Sequence, residues 1–250
     1  MPTRHITTTV ITAVLLCFST TASAADGDVV DPGPFDSVLK NYVDDAGDVD
    51  YEGIKESEAA GNKLDTYVES LADAEPGDHS RTARLAFWLN AYNALVIDTI
   101  VEKWPVSSPK DVDGFFDGIT HEVAGRSMTL DAIEHKNIRP TFEEPRIHFV
   151  VVCAAKSCPR LQRNALTASS VESALEKAAR EFIPKVTKLE GENTVVTSKL
   201  FEWFSGDFEK AAGSVEAYLA KYTDGEVAEA LKKSDTELRF RDYSWKINAQ

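Results

Sequence analysis

The chain is 250 residues long and carries a formal net charge of −14, with 41 acidic against 27 basic side chains. Partners that demand a basic footprint are thereby excluded, so neither nucleic acid nor an anionic lipid surface is expected. The length suits one to two domains.

Residues 1–24 read as an export signal. Arg4 and His5 give a basic start, the apolar stretch 10–18 is too short to span a bilayer, and Ala22-Ser23-Ala24 offers a small-residue cleavage site. Leu16 precedes Cys17, where a lipid-modified cysteine would follow Gly or Ala, so no lipid anchor is expected. No later stretch has the length and apolarity of a membrane span, and the mature protein is expected in the periplasm or outside the cell. Residues 25–34, acidic with Gly and Pro, suggest a flexible lead-in, and 35–250 a single globular domain.

Apolar spacing predicts a short helix beginning at Phe35, a turn at 44–48 and a second helix near 62–72. Ser80 then caps a long helix that Pro105 stops at Trp104. Its interior, 85–101, is apolar almost all round, which marks it as buried. Segments 121–123 and 127–129 flank Ala124-Gly125-Arg126 as a small hairpin, and 130–139 forms a short helix ended by Pro140. The β-branched run 147–153 reads as a central strand. A helix near 169–182, a strand fragment at Val195-Val196, a short helix capped by Ser198, two more helices and a final strand with alternating Leu238 and Phe240 complete the chain. The fold class is α+β: one helix-rich domain with a small, mostly antiparallel sheet.

Chemistry concentrates at the end of the 147–153 run, where Cys153 and Cys158 are separated by a short turn and followed by Pro159. Strand-end loops collect function in α/β folds, so a thiol there is a nucleophile candidate. Cys158, beside Pro159 at a helix start, would have its pKa lowered by unpaired amides. In an oxidising compartment the two sulfurs could equally be joined, although so short a loop would add little stability.

Asn90 and Asn93 emerge on one side of the buried helix. They either hydrogen-bond backbone and fix the packing or orient a substrate. Asp131 and Glu134 have capping-box spacing, and His135 and Arg139 share a face. His148 would project from the opposite side of the strand to Cys153, which handicaps it as a base. No second Cys or His pair follows the cysteines, so no metal and no cofactor are expected. Phosphate-loop, dinucleotide and serine-hydrolase signatures are missing.

These segments resemble the family called domain of unknown function 547. The resemblance rests on Phe87-Trp88 with Asn90, Tyr92 and Asn93; on Ile133-Glu134-His135 with Arg139; and on Ile147-His148-Phe149 leading to Cys153 and Ser157-Cys158-Pro159. Trp203-Phe204 with Asp207-Phe208, then Tyr243, Trp245 and Asn248, extend it. Ser244 departs from the acid expected before the last Trp. The resemblance implies a papain-like or transglutaminase-like fold with a Cys, His and Glu constellation and glutathione-like thiol peptides as ligands. Carried over, Cys153 is the preferred nucleophile with Cys158 second, His135 the base and Glu134 its acid. Asn90, Asn93, Arg139 and His148 are then substrate-binding candidates. The expected activity is that of an exported thiol-dependent hydrolase or acyltransferase on peptide-like amides. The alternative is a non-catalytic binder of peptide or glutathione-like ligands with a Cys153–Cys158 disulfide.

Overall fold

The computed structural model describes residues 27–250. The expected export signal, with Cys17, lies outside the described residues. The expected lead-in is docked where it is described. Val29 and Val30 pack against the core, and the Asp28 carboxylate accepts the Ala168 amide at 2.6 Å.

Eleven α-helical segments and five short strands are present among the described residues. The first four helices are α1 (Gly33–Tyr42), α2 (Tyr51–Glu56), α3 (Glu58–Ala72) and α4 (Arg81–Lys103). Ser80 Oγ accepts the Ala83 amide at 3.2 Å and starts α4 as the sequence predicts. From Leu85 to Ile97 every residue of α4 is buried, so it forms the axis of the molecule. α2 and α3 pack against it, α1 packs on α3 and α2, and one continuous apolar core runs from Phe35 to Ile247.

The hairpin forms as β1 (His121–Val123) and β2 (Arg126–Met128), closed by Ala124-Gly125. Both turn residues have positive φ, 52° and 70°, as a tight two-residue hairpin requires. The helix after it is less regular than its sequence suggests. α5 (Leu130–Ala132) widens into a π-helical turn, Ile133–Ile138, before α6 (Arg139–Phe142). Pro140 lies inside this segment and has no N–H to donate, which favours the bulge. Thr129, not Asp131, caps the start by accepting the Ala132 amide at 3.1 Å. Glu134 is thereby released from a capping role and turned inward, only 7% exposed.

The expected central strand is absent. Pro145–Phe149 is a 3₁₀ turn, and the chain then runs to Cys153 as irregular backbone buried between helices. Asn93 takes the place of a neighbouring strand. Its Nδ2 donates to the Val150 carbonyl at 2.8 Å and its Oδ1 accepts the Val152 amide at 2.9 Å. A continuous β-branched run is also consistent with burial on all sides, and here helices supply the burial.

The remaining elements are α7 (Val171–Val186), β3 (Lys188–Glu190), β4 (Thr194–Ser198), α8 (Leu200–Trp203), α9 (Ser205–Ala212), α10 (Val215–Ala220), α11 (Gly225–Leu231) and β5 (Glu237–Arg241). β3 pairs antiparallel with β4, while β5 returns parallel to β4 after the α8–α11 crossover. The fold is α+β, helix-rich, with a two-stranded antiparallel sheet and a three-stranded mixed one.

Candidate functional site

The loop between the cysteines is held from three directions. Asn93 clamps its entry. Fully buried Ala154 adopts φ +59°, a conformation costly for a residue with a Cβ, and turns the chain between the two sulfurs. The C-terminal segment crosses the loop: Asn248 N–H donates to the Ala154 carbonyl at 3.0 Å and Lys156 N–H to the Lys246 carbonyl at 2.8 Å. Ser244 N–H is held by Ser157 Oγ at 2.8 Å, and Tyr51 OH donates to Asn248 Oδ1 at 2.8 Å. Ser244 thus acts through its backbone amide.

Cys153 and Cys158 are both free thiols, each partly exposed. The Cys153 amide donates to Cys158 Sγ at 3.2 Å, and the Tyr243 hydroxyl donates to the same sulfur at 3.0 Å. Tyr243 also lies 3.4 Å from Cys153 Sγ. Burial and the two neighbouring thiols push the Tyr243 phenol far up, so it stays protonated and remains a donor. Burial alone would raise the Cys158 thiol, but donation from Cys153, Tyr243 and nearby backbone outweighs it and holds that thiol below its ordinary value. Its hydrogen bond to Cys158, with burial, pushes Cys153 up. Hydrogen bonding thus favours the ionised form at Cys158 and the protonated form at Cys153.

Both sulfurs open into a cleft of about 390 Å³ whose walls include Glu134, His135, His148, Trp203 and Trp245. Trp203, Tyr243 and Trp245 pack ring against ring, with centroids 4.8–5.8 Å apart, and Trp203 is 44% exposed at the surface.

His148 is buried against Phe204, ring centroids 3.9 Å apart. Its Nε2 is 2.8 Å from Asp207 Oδ2, and its Nδ1 is 3.7 Å from Glu134 Oε1. Burial lowers the His148 pKa despite the Asp207 hydrogen bond, so the ring is neutral. Although burial opposes it, hydrogen bonds from His148 and Arg139 hold Asp207 well below the usual carboxylate range. An ionised Asp207 only accepts, which puts the ring proton on Nε2 and leaves the Nδ1 lone pair facing Glu134.

Burial raises Glu134 to about 7, against the opposing charge of Arg139. A carboxyl raised this way binds its proton more tightly in the folded chain than in the unfolded one, so stability falls as pH climbs from about 4.5 to about 7. Glu134→Gln is accordingly expected to raise stability at pH 8 by about 1–3 kcal/mol, a gain that fades towards pH 5. Urea midpoints measured at both pH values read it directly.

The other candidates from the sequence sit elsewhere. His135 also reaches the cleft, but its Nδ1 accepts from Arg139 Nη1 at 3.0 Å, and burial with Arg139 lowers its pKa. The imidazole beside Glu134 is thus His148. Arg139 pairs with Asp207 through Nε at 2.8 Å and Nη2 at 3.0 Å, and lines a depression separate from the cleft that holds the sulfurs. Asn90 clamps both the amide and the carbonyl of Leu166 at 2.8–2.9 Å. It and Asn93 both clamp buried backbone, and neither lines the cleft that holds the sulfurs. Among the described residues no sulfur hydrogen-bonds an imidazole, and no group of three or more His, Cys, Asp or Glu side chains could hold a metal ion.

Asp207 and Tyr243 were not singled out from the sequence as site residues, although both lie in the segments that carry the resemblance. Residues 76–183 match the model of the family described as "Protein of unknown function, DUF547". The match supports the DUF547 family. It contains Glu134, His148 and both cysteines but ends before Asp207 and Tyr243. No curated protein and no solved structure matches the chain. No helix of the described residues is long and apolar enough to cross a membrane.

Proposed function

We propose that this protein is an exported thiol-dependent hydrolase or acyltransferase acting on peptide-like amides, with Cys158 as nucleophile. The observation that carries the reading is the sulfur of Cys158 accepting from Tyr243 OH at 3.0 Å and the Cys153 amide at 3.2 Å, in a cleft that also holds Glu134. These donors favour the thiolate form of Cys158. Glu134, titrating at about 7, is suited to give and take a proton there. The papain-like and transglutaminase-like likeness belongs to the same reading.

In the reaction, Cys158 sulfur adds to the amide carbonyl. The C–N bond breaks and the departing amine takes the Glu134 proton. Water then adds to the thioester, Glu134 carboxylate takes its proton, and the C–S bond breaks to restore the thiolate. Water is consumed and one acid and one amine result; an amine or alcohol acceptor in place of water gives acyl transfer. His148, fixed by Asp207, holds its Nδ1 lone pair 3.7 Å from Glu134 Oε1 and packs beside the carboxyl that moves the proton.

p-Nitrophenyl acetate is the probe for the first half of this cycle. The expected outcome is a burst of nitrophenolate and one acetyl group on Cys158, found by peptide mass spectrometry. Cys158→Ser should abolish both, whereas Cys153→Ser should retain them. Hydrolysis at the parent rate by the Cys158→Ser protein, with no acetyl on sulfur, rejects the assignment.

A further inference from the structure

Cys158 stands on a partition between two cavities. Cys158, Pro159 and Tyr243 line both the aromatic cleft and a second cavity of about 660 Å³ on its other side. In a chain of net charge −14 that second cavity is cationic: Lys156, Arg160, Lys177, Lys185, Lys199 and Arg241 line it, against Glu181 and Asp242. Folding has gathered these cations from four separate stretches: the cysteine loop, α7, the β4–α8 junction and the end of β5.

Most of these cations are only loosely held. Arg160 and Lys177 share Glu181 at 2.8 and 3.8 Å, Lys199 reaches Glu202 at 3.5 Å, and Arg241 reaches Glu190 at 3.3 Å. Lys156 pairs with Asp48 at 2.5 Å, and among the described residues Lys185 has no acidic partner within 4.0 Å. Partly solvated pairs of this kind exchange partners readily when another carboxylate arrives. The acidity of the rest of the chain repels long polyanions, and a cavity of this size admits a short one.

We infer that the basic cavity is an anion subsite for a short carboxylate-rich peptide, which it holds with one end against Cys158. The inference rests on the proposed thiol reading for the identity of the reacting atom, but not for binding itself. Tetraglutamate is the probe and tetraglutamine its neutral counterpart, each carrying a fluorophore and followed by anisotropy with the full chain bearing Cys158→Ser. Tetraglutamate should bind and tetraglutamine should not. Raising the salt from about 50 to 500 mM should weaken binding more than about tenfold, since the contacts are Coulombic. Lys185→Glu with Lys199→Glu should weaken it about tenfold or more, while Lys232→Glu with Lys233→Glu, an equal charge change elsewhere, should stay within about twofold. In the protein with Cys158 intact, bound tetraglutamate should also slow alkylation of that thiol.

Equal binding by the parent and the cavity variant, equal binding of tetraglutamine, or binding of inorganic tripolyphosphate without tetraglutamate each overturns the inference. Tetraglutamate binding that meets these criteria supports the subsite even if no acetyl-sulfur forms, a result that rejects only the thiol chemistry. An acetylated Cys158 with no tetraglutamate binding rejects only the subsite.

Discussion

Asn93→Ala is expected to destabilise the fold by about 2–5 kcal/mol, because two buried backbone groups lose their only substitute for a strand partner and each orphaned group costs about 1–3 kcal/mol. The groups are the Val150 carbonyl and the Val152 amide, bonded by the Asn93 carboxamide at 2.8 and 2.9 Å. The side chain is 7% exposed, so water cannot replace what is lost. Asn41, whose amide donates to the Ser37 carbonyl on the exposed face of α1, is the control. Asn41→Ala should change the urea midpoint little, by less than about 0.5 kcal/mol once converted. Equal midpoint shifts for the two variants would remove Asn93 from its structural role. The same clamp fixes the entry to the cysteine loop, so Asn93→Ala should also make both thiols more alike in reactivity.

Alkylation by iodoacetamide at pH 7 is expected to label Cys158 well before Cys153, and Cys158→Ala should remove the fast phase entirely. Both thiols are partly exposed, so access alone does not separate them. The separation comes from hydrogen bonding: Cys158 receives the Tyr243 hydroxyl and the Cys153 amide, while Cys153 is pushed up by its hydrogen bond to Cys158 and by burial. Tyr243→Phe deletes one donor and should move the labelling midpoint of Cys158 to higher pH, with a lower rate at pH 7. Cys153→Ala also removes a donating thiol and should move the midpoint the same way, by at least as much. Peptide mapping after timed labelling assigns each phase. Preferential labelling of Cys153 in the parent protein would reverse the roles of the two sulfurs.

α4, its Ser80 cap and its stop before Pro105 are determined within the chain itself, as are the hairpin at Ala124-Gly125 and the helix-rich α+β class. Apolar spacing, a capping hydroxyl and a two-residue turn are local properties, and local sequence is enough to set them. The cysteine pair, Glu134 and the two histidines are also visible as residue types suited to thiol chemistry.

Only tertiary structure decided how the 147–153 segment is built and which groups meet. A buried amide from a helix 57 residues earlier satisfies the Val150 carbonyl, so the run has no need of a sheet. Asp207, 59 residues after His148, fixes that ring's tautomer, and Tyr243, 85 residues after Cys158, donates to that sulfur. A thiol's or carboxyl's proton affinity depends on which donors and how much water surround it, and those neighbours are assembled from distant stretches by packing.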